Sequence, residues 1–94
     1  MEIKQLEHGS KGAFVIEQDH ERLAEMTYSK AGENMIIINH TEVSEKLKGQ
    51  SAGKQLLMKA VEYARSNNIK ILPLCPFAKS VFDKTPEIAD VLKT

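Results

Sequence analysis

The most informative part of this 94-residue chain is the segment from residue 35 to residue 64, where a strand, a loop and a helix follow one another. Residues 35–38 form a short apolar, β-branched run that is typical of a buried strand. After the loop, apolar residues recur at the spacing of one buried helix face, at Leu56, Leu57, Ala60, Val61 and Ala64. The glycine-containing loop 48–54 therefore joins a strand to a helix, and Ser51 is expected to be the N-cap residue.

The start of this helix has an unusual charge. A helix N-terminus carries partial positive charge and free N–H groups, so sequences usually place acidic residues there. Here no acidic residue occurs between Glu45 and Glu62, whereas four lysines do: Lys46, Lys48, Lys54 and Lys59. Gly53 disfavours a helix by about 1 kcal/mol relative to alanine, which favours a ligand that approaches the backbone closely. The segment predicts a phosphate site, and the alternative is a capped helix with a solvated lysine face.

Two common phosphate-binding motifs do not fit the loop. A P-loop needs the pattern G-x-x-x-x-G-K-[ST], but Gly49 and Gly53 are one residue too close. In addition, Gln55 stands where that motif requires a magnesium-binding hydroxyl. The dinucleotide pattern G-x-G-x-x-G is absent. Both nucleotide-binding classes are therefore excluded.

The loop resembles the acyl-CoA-binding segment of the GCN5-related N-acetyltransferases (GNAT), which follows the pattern V-x-P-x-x-R-x-x-G-x-G/A. Val43, Lys48 and Gly53 fall on the Val, Arg and final Gly/Ala positions of that pattern. Glu45 replaces the proline, and Ser51 replaces the first glycine of the phosphate loop. Lysine at position 48 keeps the positive charge but loses the forked geometry of arginine.

Two flanking segments strengthen this resemblance. The sequence His-Thr-Glu-Val at residues 40–43 precedes the loop, and Ile-Leu-Pro-Leu-Cys-Pro-Phe at residues 71–77 follows the helix. The combination is similar to a small subgroup of single-domain acetyltransferase-like proteins of about this length. The resemblance therefore covers most of the chain.

The predicted fold class is α+β, within one domain that spans residues 1–94. Strands are expected near residues 3–6, 13–17, 23–29, 35–40 and 69–74, and short connections make the first four an antiparallel meander. The strand–helix–strand unit that follows implies a parallel, right-handed crossover. Short helices are expected at residues 77–83 and 87–92, with Phe77, Val81 and Phe82 facing inward. The resemblance implies a GNAT-like fold: a mostly antiparallel five-stranded sheet with strands 4 and 5 parallel and splayed apart, one long helix and short C-terminal helices.

The resemblance also implies a site for acetyl-CoA or CoA. Backbone groups of Val43 and Ser44 would bind the pantetheine amides, and Ser51 would either crowd the phosphates or donate its hydroxyl to them. The pyrophosphate would be held by Lys48, Gly49, Gln50, Ser51, Ala52, Gly53 and Lys54. Phe77 and Phe82 are candidates to flank the pantetheine or the adenine, with core packing as the alternative role.

Three residues are candidates for catalysis. Cys75 follows strand 5 beside the expected cleft, and the resemblance implies that it could accept the acetyl group; the alternative is a buried, inert thiol. His40 ends strand 4, a position from which its ring could face the same cleft and act as general base. Glu42 is the competing base. The alternatives are a hydrogen-bonded histidine at a strand end and an exposed glutamate.

The functions that this sequence favours are acetyl-CoA-dependent transfer of an acetyl group to an unidentified amine, or a non-catalytic CoA-binding or partner-binding module with the same fold. A nucleic-acid binder using the lysines is disfavoured by the balance of 13 basic and 13 acidic residues and by 5% aromatic content. Histidine and cysteine spacing gives no metal site. A single cysteine, and the lack of a long apolar run, predict a cytoplasmic protein without a membrane span.

Overall fold

The computed structural model describes residues 2–94, which form one five-stranded sheet with helices packed on one of its faces. In chain order the elements are β1 (Lys4–His8), β2 (Lys11–Gln18), β3 (Glu21–Lys30), β4 (Met35–Val43), a 3-10 turn (Glu45–Leu47), α1 (Ala52–Asn67), β5 (Lys70–Pro73), α2 (Pro76–Lys84) and a C-terminal 3-10 helix (Pro86–Val91). No helix in this described part of the chain has the length and apolar character needed to cross a membrane.

The sheet order is β1-β2-β3-β4-β5, with antiparallel pairing throughout except between β4 and β5, which are parallel. The predicted antiparallel meander and the parallel pairing of strands 4 and 5 are thus confirmed. Strand β4 is longer than expected, because it continues beyond His40 to Val43 as the partner of β3. The end of β4 carries polar side chains, because a strand with one face exposed to water needs no apolar run. The apolar pattern in the sequence therefore did not indicate this extension.

The hydrophobic core lies between the sheet and α1. On β3 the alternating residues Ala24, Met26 and Tyr28 are buried, as expected from their spacing, and they face the apolar side of α1. Residues of α2 and the C-terminal 3-10 helix, including Phe82, join the same cluster. Val15 is buried outside this cluster, which places it on the opposite face of the sheet. No helix covers that opposite face within residues 2–94, and it is called here the open face.

Helix α1 ends at Asn67. Asn68 adopts a left-handed conformation with φ of 55°, and its N–H donates to the carbonyl of Ala64. Asparagine tolerates this conformation better than most residues, so it closes the last turn. The chain can then enter β5 after only two residues.

The C-terminal segment covers the outer edge of β5. Lys93 N donates to Ile71 O over 2.8 Å, and Leu92 forms an isolated parallel bridge with Ile71. Arg65 on α1 holds this segment through two hydrogen bonds of 3.0 and 2.8 Å to the carboxylate of Asp90. The Arg65 guanidinium lowers the pKa of that carboxyl. One edge of the sheet is therefore occupied by the chain itself.

A hydrogen-bonded cluster ties the opposite edge strand to the core. Tyr28 Oη donates to Glu7 Oε2 over 2.6 Å, and Lys30 Nζ lies 3.1 Å from Glu7 Oε1. Gln5 Nε2 also donates to Tyr28 Oη, over 2.7 Å. The Tyr28 hydroxyl lowers the pKa of Glu7, whereas burial raises the pKa of Tyr28. These bonds satisfy the polar end of a tyrosine whose ring is otherwise buried.

Candidate active site

Strands β4 and β5 diverge after four residue pairs. Their parallel pairing runs from Met35 with Lys70 to Ile38 with Pro73, and then Leu74 N and Cys75 N both donate to Ile38 O, over 3.0 and 3.2 Å. Beyond this point β4 continues to Val43 paired with β3 only, while the segment after β5 turns into α2. The predicted splay is confirmed, and it leaves an opening between the end of β4 and the start of α2.

The first turn of α1 offers free hydrogen-bond donors. The helix begins after Ser51, and the N–H groups of Ala52, Gly53 and Lys54 have no acceptor among residues 2–94. The first turn contains no acidic residue. Unpaired N–H groups and the dipole of a 16-residue helix favour an anion at this first turn, although Ala52 and Gly53 are themselves buried. The phosphate site at this turn stays a prediction.

Of the four lysines around the loop, only two have no carboxylate partner in the described structure. Lys46 pairs with Glu21 at 2.7 Å, and Lys59 pairs with Glu62 at 3.6 Å on the same helix. Lys48 and Lys54 have no carboxylate within 4.0 Å in the part of the chain that the structure describes. The charge available for a phosphate is therefore concentrated on the two lysines that flank the loop.

The loop between β4 and α1 is held by its own polar groups. Gln55 Nε2 donates to Gln50 O over 2.8 Å, which ties the loop to the helix. Gly49 and Ser51 have positive φ angles of 82° and 54°. Ser51 is the N-cap residue, as predicted, but its side chain makes no capping hydrogen bond. Its left-handed backbone explains why a glycine would suit this position.

Ser44 is hydrogen-bonded within the chain through both its N–H group and its hydroxyl. Its N–H donates to Leu23 O over 2.7 Å, and its hydroxyl accepts from Lys46 N over 3.1 Å, where it caps the 3-10 turn. The resemblance implies that backbone groups of Val43 and Ser44 bind the pantetheine amides, and of these groups the Ser44 N–H is already paired within the chain. Ser44 serves mainly to direct the chain from β4 into the loop.

The two phenylalanines have different surroundings. Phe82 is buried in the core cluster, whereas Phe77 is 39% exposed although the sequence predicted an inward position. The Phe77 ring lies on the first turn of α1, where a Cβ atom on Gly53 would be 2.7 Å from Phe77 Cζ. The glycine therefore has a reason within the chain itself, namely the close approach of an aromatic ring.

Cys75 occupies the N-cap position of α2 and is 5% exposed. Its Sγ donates a hydrogen bond to Thr41 Oγ1 over 3.2 Å, across the opening between the diverging strands. Thr41 is not among the residues that the sequence pattern indicated. The alternation of buried Ile36 and Ile38 pointed instead to His40 as the next inward residue.

A β-bulge separates His40 and Glu42 from Cys75. Ile38 is opposite Tyr28 on β3, but His40 is opposite Thr27, so Asn39 is an extra residue in β4. The bulge turns His40 and Glu42 to the open face. There His40 Nε2 lies 3.6 Å from Glu42 Oε1, and both side chains are exposed. The His40 ring therefore lies on the other side of the sheet from Cys75. This differs from the expectation that both face one cleft.

Comparison with known proteins identifies the family to which this chain belongs. The family model described as GCN5-related N-acetyl-transferase matches residues 13–91. The chain belongs to this family. A protein from Staphylococcus aureus described as GCN5-like, solved by NMR, is 43% identical, and the match covers 98% of this chain and 87% of that chain with a TM-score of 0.76. The comparison with curated proteins gives no match.

More distant GNAT structures share the fold. Tetrahymena GCN5 is 16% identical with a TM-score of 0.66, and the match covers 82% of this chain and 51% of that chain. The structure of AAC(6')-Iy in complex with a CoA-containing bisubstrate analogue is 10% identical with a TM-score of 0.57, over 82% of this chain and 61% of that chain. At these identities the likeness concerns the fold alone. This small GNAT protein thus has the family architecture.

Proposed function

We propose that this GNAT protein is an acetyl-CoA-dependent N-acetyltransferase that acts as a single minimal domain. The family membership supports acetyl transfer in general. The observation that carries the finer proposal is the set of three free N–H groups at residues 52–54, flanked by Lys48 and Lys54, at the start of α1. A pyrophosphate would meet both hydrogen-bond donors and positive charge there.

The rest of the cofactor would lie along the opening between β4 and α2. Three of the exposed large hydrophobic residues border this opening, namely Val43, Leu74 and Phe77. Exposed apolar side chains around a cleft favour a ligand with apolar and polar parts, such as a pantetheine arm. Phe77, whose ring is exposed, would contact it, while Phe82 is buried in the core. Acetyl-CoA would supply the acetyl group as a thioester.

The acceptor would be an amine that approaches from the open face. His40, with Glu42 3.6 Å away, is exposed on that face and would take the proton that the attacking amine loses. Cys75 lies on the opposite side of the sheet and would serve a two-step route, in which it carries the acetyl group first.

The first experiment is an amide NMR titration with acetyl-CoA, with CoA and free pyrophosphate as comparisons. We expect saturating shifts in residues 43–54 and around Cys75, at micromolar ligand. Lys48→Gln and Lys54→Gln should weaken binding several-fold, whereas Lys59→Gln, on the same helix but paired with Glu62, should not. Absence of shifts, or identical shifts with pyrophosphate alone, would remove the cofactor proposal.

The second experiment separates the two chemical routes. Acetylation of a panel of amines would be measured for wild type, Cys75→Ala and His40→Ala. Loss of transfer only in Cys75→Ala supports the two-step route, and loss only in His40→Ala supports direct attack. Unchanged transfer in both variants would remove this chemistry.

The alternative is a CoA-binding or partner-binding module with little turnover. It is favoured by Ser51, whose side chain stands at the left-handed position of the phosphate loop, and by the buried state of Cys75. Binding of CoA without acetylation of any amine in the panel would support this alternative.

A further inference from the structure

Thr41 and Cys75 meet across the opening between the diverging strands. Cys75 Sγ donates to Thr41 Oγ1 over 3.2 Å, although the two residues lie 34 positions apart in the chain. Cys75 is 5% exposed and Thr41 is half-buried. Thr41 lies in the part of β4 that no longer pairs with β5, and Cys75 is the residue just before α2. The contact links these two segments. It therefore fixes the thiol at the point where the opening begins.

The β-bulge decides that this neighbour is a hydroxyl. Beyond Asn39, Thr41 is opposite buried Met26 and so points to the face that α1 covers. Asn39 Nδ2 donates to Ser29 Oγ over 2.9 Å, which holds the extra residue in place. Without the bulge, the alternation would bring His40 to this side instead. The fold thus selects threonine, and not histidine, as the polar neighbour of the only cysteine in the chain.

We propose that Thr41 is a positioning residue that holds Cys75 for attack on a thioester; this inference rests on the two-step route of the proposed function. The S–H group donates to Thr41, and no side chain among residues 2–94 donates a hydrogen bond to the sulfur. In the transfer step a bond forms between Cys75 Sγ and the acyl carbon, and the bond from that carbon to the thiol of the donor breaks. The proton that Cys75 loses goes to the departing thiolate, so no further reactant is needed.

The hydroxyl has a second use during this step. Thr41 Oγ1 accepts from the thiol, and its own hydrogen can be donated to the sulfur once the thiolate forms. A thiolate is the reactive form of cysteine, and a hydrogen bond to a charged group is stronger than one to a neutral group. Removing the hydroxyl while keeping the side-chain shape should therefore slow the reactions of Cys75.

The test uses Thr41→Val, Thr41→Ser and, as a matched control, Thr27→Val. Thr27 is half-buried on the neighbouring strand and faces the open side with His40. Intact-protein mass spectrometry would follow alkylation by iodoacetamide, which reports on Cys75 alone because the chain has one cysteine. We expect Thr41→Val to slow alkylation about tenfold, Thr41→Ser to restore it to within about twofold, and Thr27→Val to leave it unchanged.

The same variants would then be incubated with acetyl-CoA. We expect Cys75 to gain one acetyl group in wild type, about tenfold more slowly in Thr41→Val, with CoA binding by NMR unchanged. Alkylation of Thr41→Val at the wild-type rate, failure of Thr41→Ser to restore it, or a wild-type thiol that is not alkylated at all would overturn the role of Thr41. Failure of wild type to bind acetyl-CoA would count against the proposed function, while the alkylation result would still decide the role of Thr41.

Discussion

The ring of Phe77 packs on the backbone of Gly53, so closely that a side chain at residue 53 would have to displace it. Phe77 belongs to the first turn of α2 and Gly53 to the first turn of α1, so the contact joins two helix starts beside the opening. Two effects on stability oppose each other at Gly53. Glycine disfavours the helix, whereas the absence of a side chain leaves room for the Phe77 ring to pack.

A double-mutant cycle measures this relationship. Gly53→Ala alone should leave the free energy of unfolding within about 1 kcal/mol of wild type, because the gain in helix propensity is offset by displacement of the ring. In a Phe77→Ala background the same change should stabilise the protein by about 1 kcal/mol. Urea unfolding followed by circular dichroism gives both values. Ser66→Ala, on an exposed part of α1, is the control and should have the same effect in both backgrounds.

Ser51 provides a prediction about backbone strain. Its φ of 54° lies in the left-handed region, which costs a side-chain-bearing residue about 1–2 kcal/mol. We expect Ser51→Gly to stabilise the protein by about 0.5–1 kcal/mol in thermal or urea unfolding, after allowing for the flexibility of glycine in the unfolded chain. Ser51→Ala should be nearly neutral, because the hydroxyl makes no capping bond. A loss of about 1 kcal/mol in Ser51→Ala, as for a lost N-cap, would contradict this interpretation.

Glu7 should make stability depend on acid pH. Its pKa is lowered from the usual 4.5, chiefly by the Tyr28 hydroxyl, so the folded state favours the ionised carboxylate. The resulting stabilisation is present above pH 4.5 and is lost as the pH falls through the lowered pKa. Glu7→Gln should therefore be less stable than wild type at pH 7 by about 1 kcal/mol, and this gap should narrow below pH 4.5.

Urea unfolding of wild type and Glu7→Gln between pH 3 and pH 8 would check this. Glu33→Gln is the control, since Glu33 is exposed in the turn before β4 and has no ion pair within residues 2–94. A gap between wild type and Glu7→Gln that stays constant with pH would show that the carboxylate charge is not responsible.

Gly12 should tolerate no side chain. A Cβ atom there would be 2.3 Å from Cζ of Tyr28, whose ring is buried and whose hydroxyl is held by Glu7 and Gln5. Because this ring cannot move aside as Phe77 can, Gly12→Ala should destabilise the protein by about 2–3 kcal/mol, measured by urea unfolding. Ala13→Ser, at the next position on the open face, is the control and should cost less than about 1 kcal/mol. A Gly12→Ala variant as stable as the control would disprove the close fit.

Much of the fold could be predicted from the sequence because the core residues follow simple periods. Alternation at Ala24, Met26 and Tyr28 indicated a half-buried strand, and the apolar spacing of α1 indicated its buried face. The order of these elements, with a helix between the last two strands, was enough to predict a parallel pair within an antiparallel sheet. Resemblance to a known family then suggested that this pair diverges.

The site was harder to predict because its geometry depends on contacts between distant segments. The bulge at Asn39 arises from the pairing of β4 with β3, and no local pattern marks it. The alternation that begins at Ile36 and Ile38 therefore pointed to His40, whereas the structure brings Thr41 to Cys75. Similarly, the pairing of Lys46 with Glu21 and of Lys59 with Glu62 could not be assigned from composition alone.

The extra residue in β4 also bears on how such proteins could diverge. A substitution at Asn39 would leave every other side chain on its present side of the sheet. Loss of that one residue would instead exchange the two sides for everything downstream in the strand, and would set an imidazole against the thiol and a hydroxyl on the open face. In chains with this fold, deletion of one residue from this strand would therefore change the chemistry of the site more than any single substitution in the strand.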